Sequence, residues 1–210
     1  MEVPTSELTP LIEQLRSKHS PKRRSAALKL RKIGNPSAGP ALLDALKCEL
    51  NDPRTWETQY QMIMALGQSG TIEATPLLEI LAHEKFPGRT MVLVAVGDAL
   101  VRLSRSSDAD AGSVLKVLSI ANDGTLHDGA LRAVAMLHMH FNDAETAEII
   151  RVVDEKADES RNFWLIAACP GWFGPEVDRF VERCLTSSRE DVRAAAADAK
   201  LKKYRNWRPL

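Results

Sequence analysis

Few residues in this chain have types and spacings that could do chemistry. The nearest approach to a metal motif is His138-Met-His140. Side chains two apart on a helix point roughly 200° away from each other, so these imidazoles cannot share an ion while the helix continues. No acidic pair lies close by to complete a ligand set. His19, His83 and His127 stand alone at expected helix ends and read as solvated. Cys48, Cys169 and Cys184 are odd in number and lack metal-type spacing, so each reads as a small buried thiol. There is no Gly-rich phosphate loop, no nucleophile elbow and no metalloprotease His-Glu pair. The chain therefore reads as non-enzymatic, with no metal and no cofactor expected.

Residues suited to recognition are better placed. Trp56 and Tyr60 stand four apart on one helix face, with Gln59 beside them. Asp128 and Arg132 share the same spacing, and Arg161, Asn162 and Trp164 lie together on one segment. Arg89, Glu190 and Arg193 complete the set. Trp, Tyr and Arg are the residues most enriched at binding hot spots. The competing reading is that Trp56 and Trp164 fill gaps between packed helices. Trp172 and Phe173, which follow Pro170-Gly171, read as a hydrophobic cover for a turn.

What must position these residues is helix. The apolar pattern keeps a period of 3.6 throughout, and no segment reads as a strand. The spacing predicts helices over 6–18, 21–33, 37–50, 53–67, 72–83, 89–104, 108–121, 125–140, 143–156, 159–169, 174–187 and 189–204. Ser20-Pro21 and Asp52-Pro53 supply a cap followed by proline in the first turn, and Asp108, Thr125 and Asn142 open later helices. Taken in pairs, A then B, these make six helical hairpins. The B helices begin near residues 21, 53, 88, 125, 160 and 189. No linker interrupts them, so residues 1–210 read as a single repeat domain.

Composition narrows the setting. Hydrophobic residues make up 44% and aromatic residues only 5%, which suits a core of small and aliphatic side chains at close helix contacts. Lysine plus arginine equals aspartate plus glutamate at 28 each, so no net charge draws the chain to nucleic acid. The charge is patterned, however: residues 1–34 carry eight bases and three acids, whereas 106–160 carry four bases and eleven acids. The basic run from Lys18 to Lys32 reads as the solvated face of an end-cap helix. The first residues lack a secretory-signal pattern and no stretch approaches the ~20 apolar residues of a membrane span. A cytoplasmic location and no membrane partner are expected.

Within this frame two segments repeat. Arg23, Ala26, Ala27, Leu30, Ile33 and Gly34 are followed by Ala38, Pro40, Leu42 and Leu43. Ala65, Leu66, Gly67 and Gly70 are followed by Ala74, Pro76, Leu77 and Leu78, and Asp191-Val192-Arg193 with Ala196, Ala197 and Ala199 echoes them. The pattern resembles HEAT repeats of the short bacterial, PBS-lyase type; residues 88–172 keep its periodicity without its motif. The resemblance implies an all-α, right-handed α-solenoid (an alpha-alpha superhelix) of about six HEAT-like hairpins, with B helices lining a concave face. It then implies that Trp56, Gln59, Tyr60, Arg89, Asp128, Arg132, Arg161, Asn162, Trp164, Glu190 and Arg193 grip a protein partner there, as in an immunity protein that masks a toxin, or an adaptor. Two alternatives carry less support. A HEAT-like alkylpurine DNA glycosylase would use Trp56, Trp164 and Asp128, but the acidic 106–160 segment would repel phosphates. A bilin lyase or lyase-chaperone would need a cysteine or histidine placed for tetrapyrrole attachment, and none is.

Overall fold

The computed structural model describes residues 5–120, 124–154 and 162–205, with the side chains of Thr5 and Ser6 left aside. Among the described residues there are twelve α-helices and no strand. The chain divides into two compact units, Met1–Ser104 and Arg105–Leu210.

The first unit holds α1 (Thr5–Gln14), α2 (Ser20–Ile33), α3 (Gly39–Glu49), α4 (Trp56–Ser69), α5 (Thr75–Ala82) and α6 (Thr90–Ser104). They pair as α1/α2, α3/α4 and α5/α6, and the second members lie side by side, with α4 packed along both α2 and α6. Small residues make that possible. Ala26, Ala27, Ala65 and Ala99 are fully buried, and a Cβ on Gly67 would come within 2.9 Å of the Ala99 Cα. Glycine is thus required where α4 crosses α6. From Thr58 to Gly67, α4 is buried on every side, as a helix apolar nearly all round must be.

Pro36 and Pro53 do not open α-helices directly. Pro36–Ala38, Pro53–Thr55 and Ile72–Ala74 each form a single 3-10 turn, which sets the α-helical starts at 39, 56 and 75, two or three residues later than periodicity suggests. Asn35 and Asp52 cap the first two of these turns by accepting from the Ser37 and Arg54 amides. Ser20 is the first residue of α2 and not its cap; its hydroxyl lies 2.8 Å from the Thr58 hydroxyl. The B helices α2 and α4 end on Gly34 and Gly70 in the left-handed conformation, at φ 63° and 70°. At Gly70 the Thr71 amide donates back to Leu66 O, which satisfies a carbonyl the helix end would otherwise orphan.

The second unit holds α7 (Ala111–Leu118), α8 (Thr125–Met136), α9 (Asp143–Asp154), α10 (Asn162–Ala168), α11 (Pro175–Cys184) and α12 (Glu190–Lys200). One row runs α8, α10, α12 and the other α7, α9, α11. Asp110, not Asp108, caps α7, through the Ser113 amide. Asn142 and Glu145 form a reciprocal capping box at the start of α9. Two B helices end early, and without glycine. His138 and Lys202 take the left-handed conformation at φ 53° and 54°, with Met139 donating to Val134 O and Lys203 to Asp198 O. The core beneath them is Trp172, fully buried, whose Nε1 donates to Met139 O at 2.9 Å and whose ring packs on Phe141.

Candidate partner-binding surface

The residues nominated from sequence have different fates. Gln59 is fully buried, and its Nε2 donates to the Glu49 and Asp52 carbonyls, holding the α3–α4 turn closed. Tyr60 is 3% exposed, with the Arg31 guanidinium 5.8 Å from its ring centroid. Both sit on the buried stretch of α4 between α2 and α6, so neither presents a surface. Arg132 is 6% exposed and lies within the second unit. Arg161 falls outside the described residues.

Trp56, Arg89, Asp128, Asn162, Trp164 and Arg193 are half-buried, and Glu190 is exposed. Arg89 covers the Phe86 ring at 5.0 Å, and Trp164 meets Phe163 edge-on. Arg193 donates to the Ser187 and Ser188 carbonyls and ties the α11–α12 turn to α12. Arg23 does the same in the first unit, reaching Ser17 O six residues back. The shared arginine of the repeat motif is therefore a turn clamp. Trp56 and Arg89 in the first unit, with Trp164 and Glu190 in the second, keep accessible surface without such a task.

Reactive groups are few. His127 is buried, not solvated, with its Nε2 3.1 Å from Ile120 O. Cys169 and Cys184 are buried, and burial pushes their thiols up, that of Cys184 to about 11. Thiols so shifted are not nucleophiles at neutral pH. Cys48, expected in the core, is exposed; it lies on the outward stripe of α3, while Leu42, Leu43 and Leu46 take the inward one. His138 stacks on Tyr204 with ring centroids 3.8 Å apart. Among the described residues, no group of three or more His, Cys, Asp or Glu could hold a metal ion.

Sequence reading missed a concavity of the first unit. Between α1 and α3 lies a cleft of about 520 Å³. Ile12 and Leu15 form one wall, and Ala41, Ala45 and Cys48 the other. At its base Arg23 forks onto the buried Glu49 carboxylate at 2.5 and 2.8 Å, and Ser20 adds a third bond to Glu49. That pair is satisfied within the chain. The rim carries Arg16 on the α1 side and Asp44 and Asp52 on the other. The Arg54 guanidinium and amide both bond Asp52 and hold its carboxyl down at about 2. The signal was present in the sequence: residues 41, 45 and 48 are small and fall outside the leucine stripe of α3.

The matching place in the second unit looks different. Asp154 of α9 is bridged to Arg183 of α11 at 2.6 Å. The furrow beside it, about 450 Å³, runs past Ala147 and Ile150 and is flanked by the ion pairs Glu148–Arg151 and Glu176–Arg179.

This geometry of B helices in close register, glycine-ended and clamped by arginine agrees with one family. Residues 8–97 match the family model for HEAT repeats. Over this part the chain is similar to HEAT repeats. Such arrays are typically protein-binding scaffolds. No functionally curated protein matches the chain. Among solved structures it is similar to an engineered protein at 19% identity, over 93% of this chain and 98% of that one, with a TM-score of 0.47. It is also similar to a designed armadillo repeat protein in complex with the peptide (KR)4, at 16% identity over 93% and 99% of the two chains, with a TM-score of 0.43. No helix among the described residues is long and apolar enough to cross a membrane.

Proposed function

We propose that this chain is a non-enzymatic HEAT-repeat module that binds a protein partner. The observation that carries the reading is the α1–α3 cleft: apolar walls from α1 with the turn after it and from α3, charges at the rim, and a base whose ion pair is already satisfied. Such a site offers shape and apolar area, which is what recognition requires. The second unit, on this reading, continues the HEAT array, so that residues 1–210 form one repeat domain; the Arg193 clamp, which repeats that of Arg23, supports it. An immunity protein masking a toxin, or an adaptor, fits a scaffold of this size in the cytoplasm. Trp56 and Arg89 in the first unit, and Trp164 and Glu190 in the second, are the members of the set nominated from sequence that keep accessible surface, each within its own unit. The test is affinity capture of the full chain under native expression, followed by mass spectrometry. One protein recovered stoichiometrically is expected. Recovery of none, or release of methylated bases from alkylated DNA that is lost in Asp128→Asn, contradicts it.

A further inference from the structure

The bases around α2, expected from sequence only to solvate a face, fall into two sets. The arginines of the helix are engaged inside the chain: Arg23 by Glu49, Arg24 by Glu57, and Arg31 by Gln61 Oε1 at 3.0 Å. The lysines are not. Lys22, Lys29 and Lys32 are exposed, as are Arg16 and Lys18 in the turn before α2. None of the five makes an ion pair or a side-chain hydrogen bond among the described residues. Along α2, Lys22, Ser25, Lys29 and Lys32 follow steps of three, four and three, which sets them on one stripe about 15 Å long. Ala26, Ala27 and Leu30 take the buried side, and the helix contains no acidic residue.

These lysines have no structural task. Lys22 stands in the first turn of α2, where the helix dipole disfavours a cation, and no carboxylate is paired with it. Solubility is served by charges of both signs interspersed, yet this face carries one sign.

The surrounding side chains narrow what the stripe meets. A phosphate backbone is best held by forked guanidinium groups, and the three arginines of α2 are already engaged. The helix has no Trp, Tyr or Phe to stack on a base and no Asn or Gln to read one. A lipid surface needs large apolar side chains beside the bases; those of α2 are buried or half-buried, Leu28 and Ile33 included. Protein carboxylates remain, and a lysine ammonium meets them as a point charge on a flexible stem, without fixed geometry.

We infer that the lysine stripe of α2, with Arg16 and Lys18 in the turn before it, docks an acidic stretch of the protein partner. That stretch is a run of Asp and Glu spanning about 15 Å, the length of the stripe. The inference rests on the protein-binding reading above and adds the chemistry of the partner and a second place where it is met. Unpaired like charges of this kind steer an oppositely charged surface and raise the rate of encounter, an effect that salt screens.

The probe is a fluorescein-labelled synthetic helix with glutamates at steps of three and four; the same peptide with glutamines is the control. Binding to the full chain is followed by anisotropy at low and at physiological salt. The glutamate peptide is expected to bind and the glutamine peptide not to, with the difference shrinking as salt rises. Lys22→Gln, Lys29→Gln and Lys32→Gln are each expected to weaken binding about threefold, and the triple variant about 25-fold. Lys200→Gln, which removes a lysine paired with Glu182, is expected to change nothing. Because the stripe is exposed, the triple variant is expected to melt as the wild type does. The inference is overturned if the triple variant binds the peptide as tightly as the wild type, or if Lys200→Gln weakens binding as much. It is also overturned if a short DNA duplex is held more tightly than the peptide at physiological salt and is released by the triple variant, which would make the stripe a phosphate contact. A captured natural partner whose association rate is unchanged by the triple variant overturns the stripe and leaves the scaffold reading standing. Capture of no partner fails the scaffold reading, while the peptide still decides the stripe.

Discussion

The two units build the same hairpin with different residues. In the first, B helices end on Gly34 and Gly70; in the second, His138 and Lys202 stand in the same left-handed conformation. A residue with a Cβ is disfavoured there by about 1–2 kcal/mol. The second unit offsets this with side-chain contacts: His138 stacks on Tyr204, while Lys202 donates to Trp172 O and lies 4.5 Å over the Phe173 ring. In the first unit the hairpin rests on backbone freedom. In the second it rests on a cluster around Trp172. The rows of A helices differ as well, with an open cleft between α1 and α3 and an ion bridge between α9 and α11. A repeat is thus a specification of backbone geometry that more than one set of side chains meets.

The sharpest way to break this comparison is to remove the cluster's centre. Trp172→Ala is expected to destabilise the chain by about 4 kcal/mol, combining lost burial, a cavity and the lost bond to Met139 O. A loss below about 1 kcal/mol in urea denaturation would show that the second unit does not depend on the cluster. Next comes the motif arginine. Glu49→Ala strands the largely buried Arg23 and is expected to cost about 2–3 kcal/mol. Arg193→Ala, which loses only two turn carbonyls, is expected to cost about 1 kcal/mol. Equal costs would mean that the two clamps are built alike.

Smaller effects sharpen the contrast at the helix ends. Gly70→Ala has open space around its Cβ, so its expected cost of about 1 kcal/mol is conformational. Lys202→Gly relieves strain but gives up the Trp172 and Phe173 contacts, and is expected to fall within about 0.5 kcal/mol of wild type. A gain above about 1 kcal/mol would mean those contacts do not offset the strain. The smallest expected effect is on acid stability. Arg54 depresses Asp52 to about 2 in the folded chain, from an ordinary 3.8. A depressed carboxyl contributes stability that is present above about pH 4 and is lost as pH falls toward 2. Asp52→Asn should flatten that part of the melting-temperature profile, and an unchanged profile would exclude it.

Much of the fold was legible because the periodicity is strong and glycine and proline punctuate it. Errors cluster at the ends of elements. The 3-10 turns at Pro36, Pro53 and Ile72 delay the α-helices, and proline signals a start without distinguishing the two helix types. The early ends of α8 and α12 were hidden because histidine and lysine do not announce a left-handed turn. The candidate site was less legible. Gln59 and Tyr60 are hot-spot types at hot-spot spacing, yet flanking B helices bury them, and local spacing carries no information about lateral packing. Cys48 was misread as core because cysteine is usually buried, although its register on α3 points opposite to Leu42 and Leu46. Read for the stripe it leaves outside, that same helix would have revealed the cleft.

Hydrogen exchange of the chain, free and in complex with a captured protein partner, tests the central claim most directly. The claim is that the open A-helix groove of the first unit, and not its buried B row, is where a partner docks. Added protection is expected over residues 8–16, from α1 into the turn after it, and over 40–52, from α3 into the turn after it, with α9 and α11 unchanged. Protection centred instead on α4 and α6, or on the Asp154–Arg183 furrow of the second unit, would contradict it.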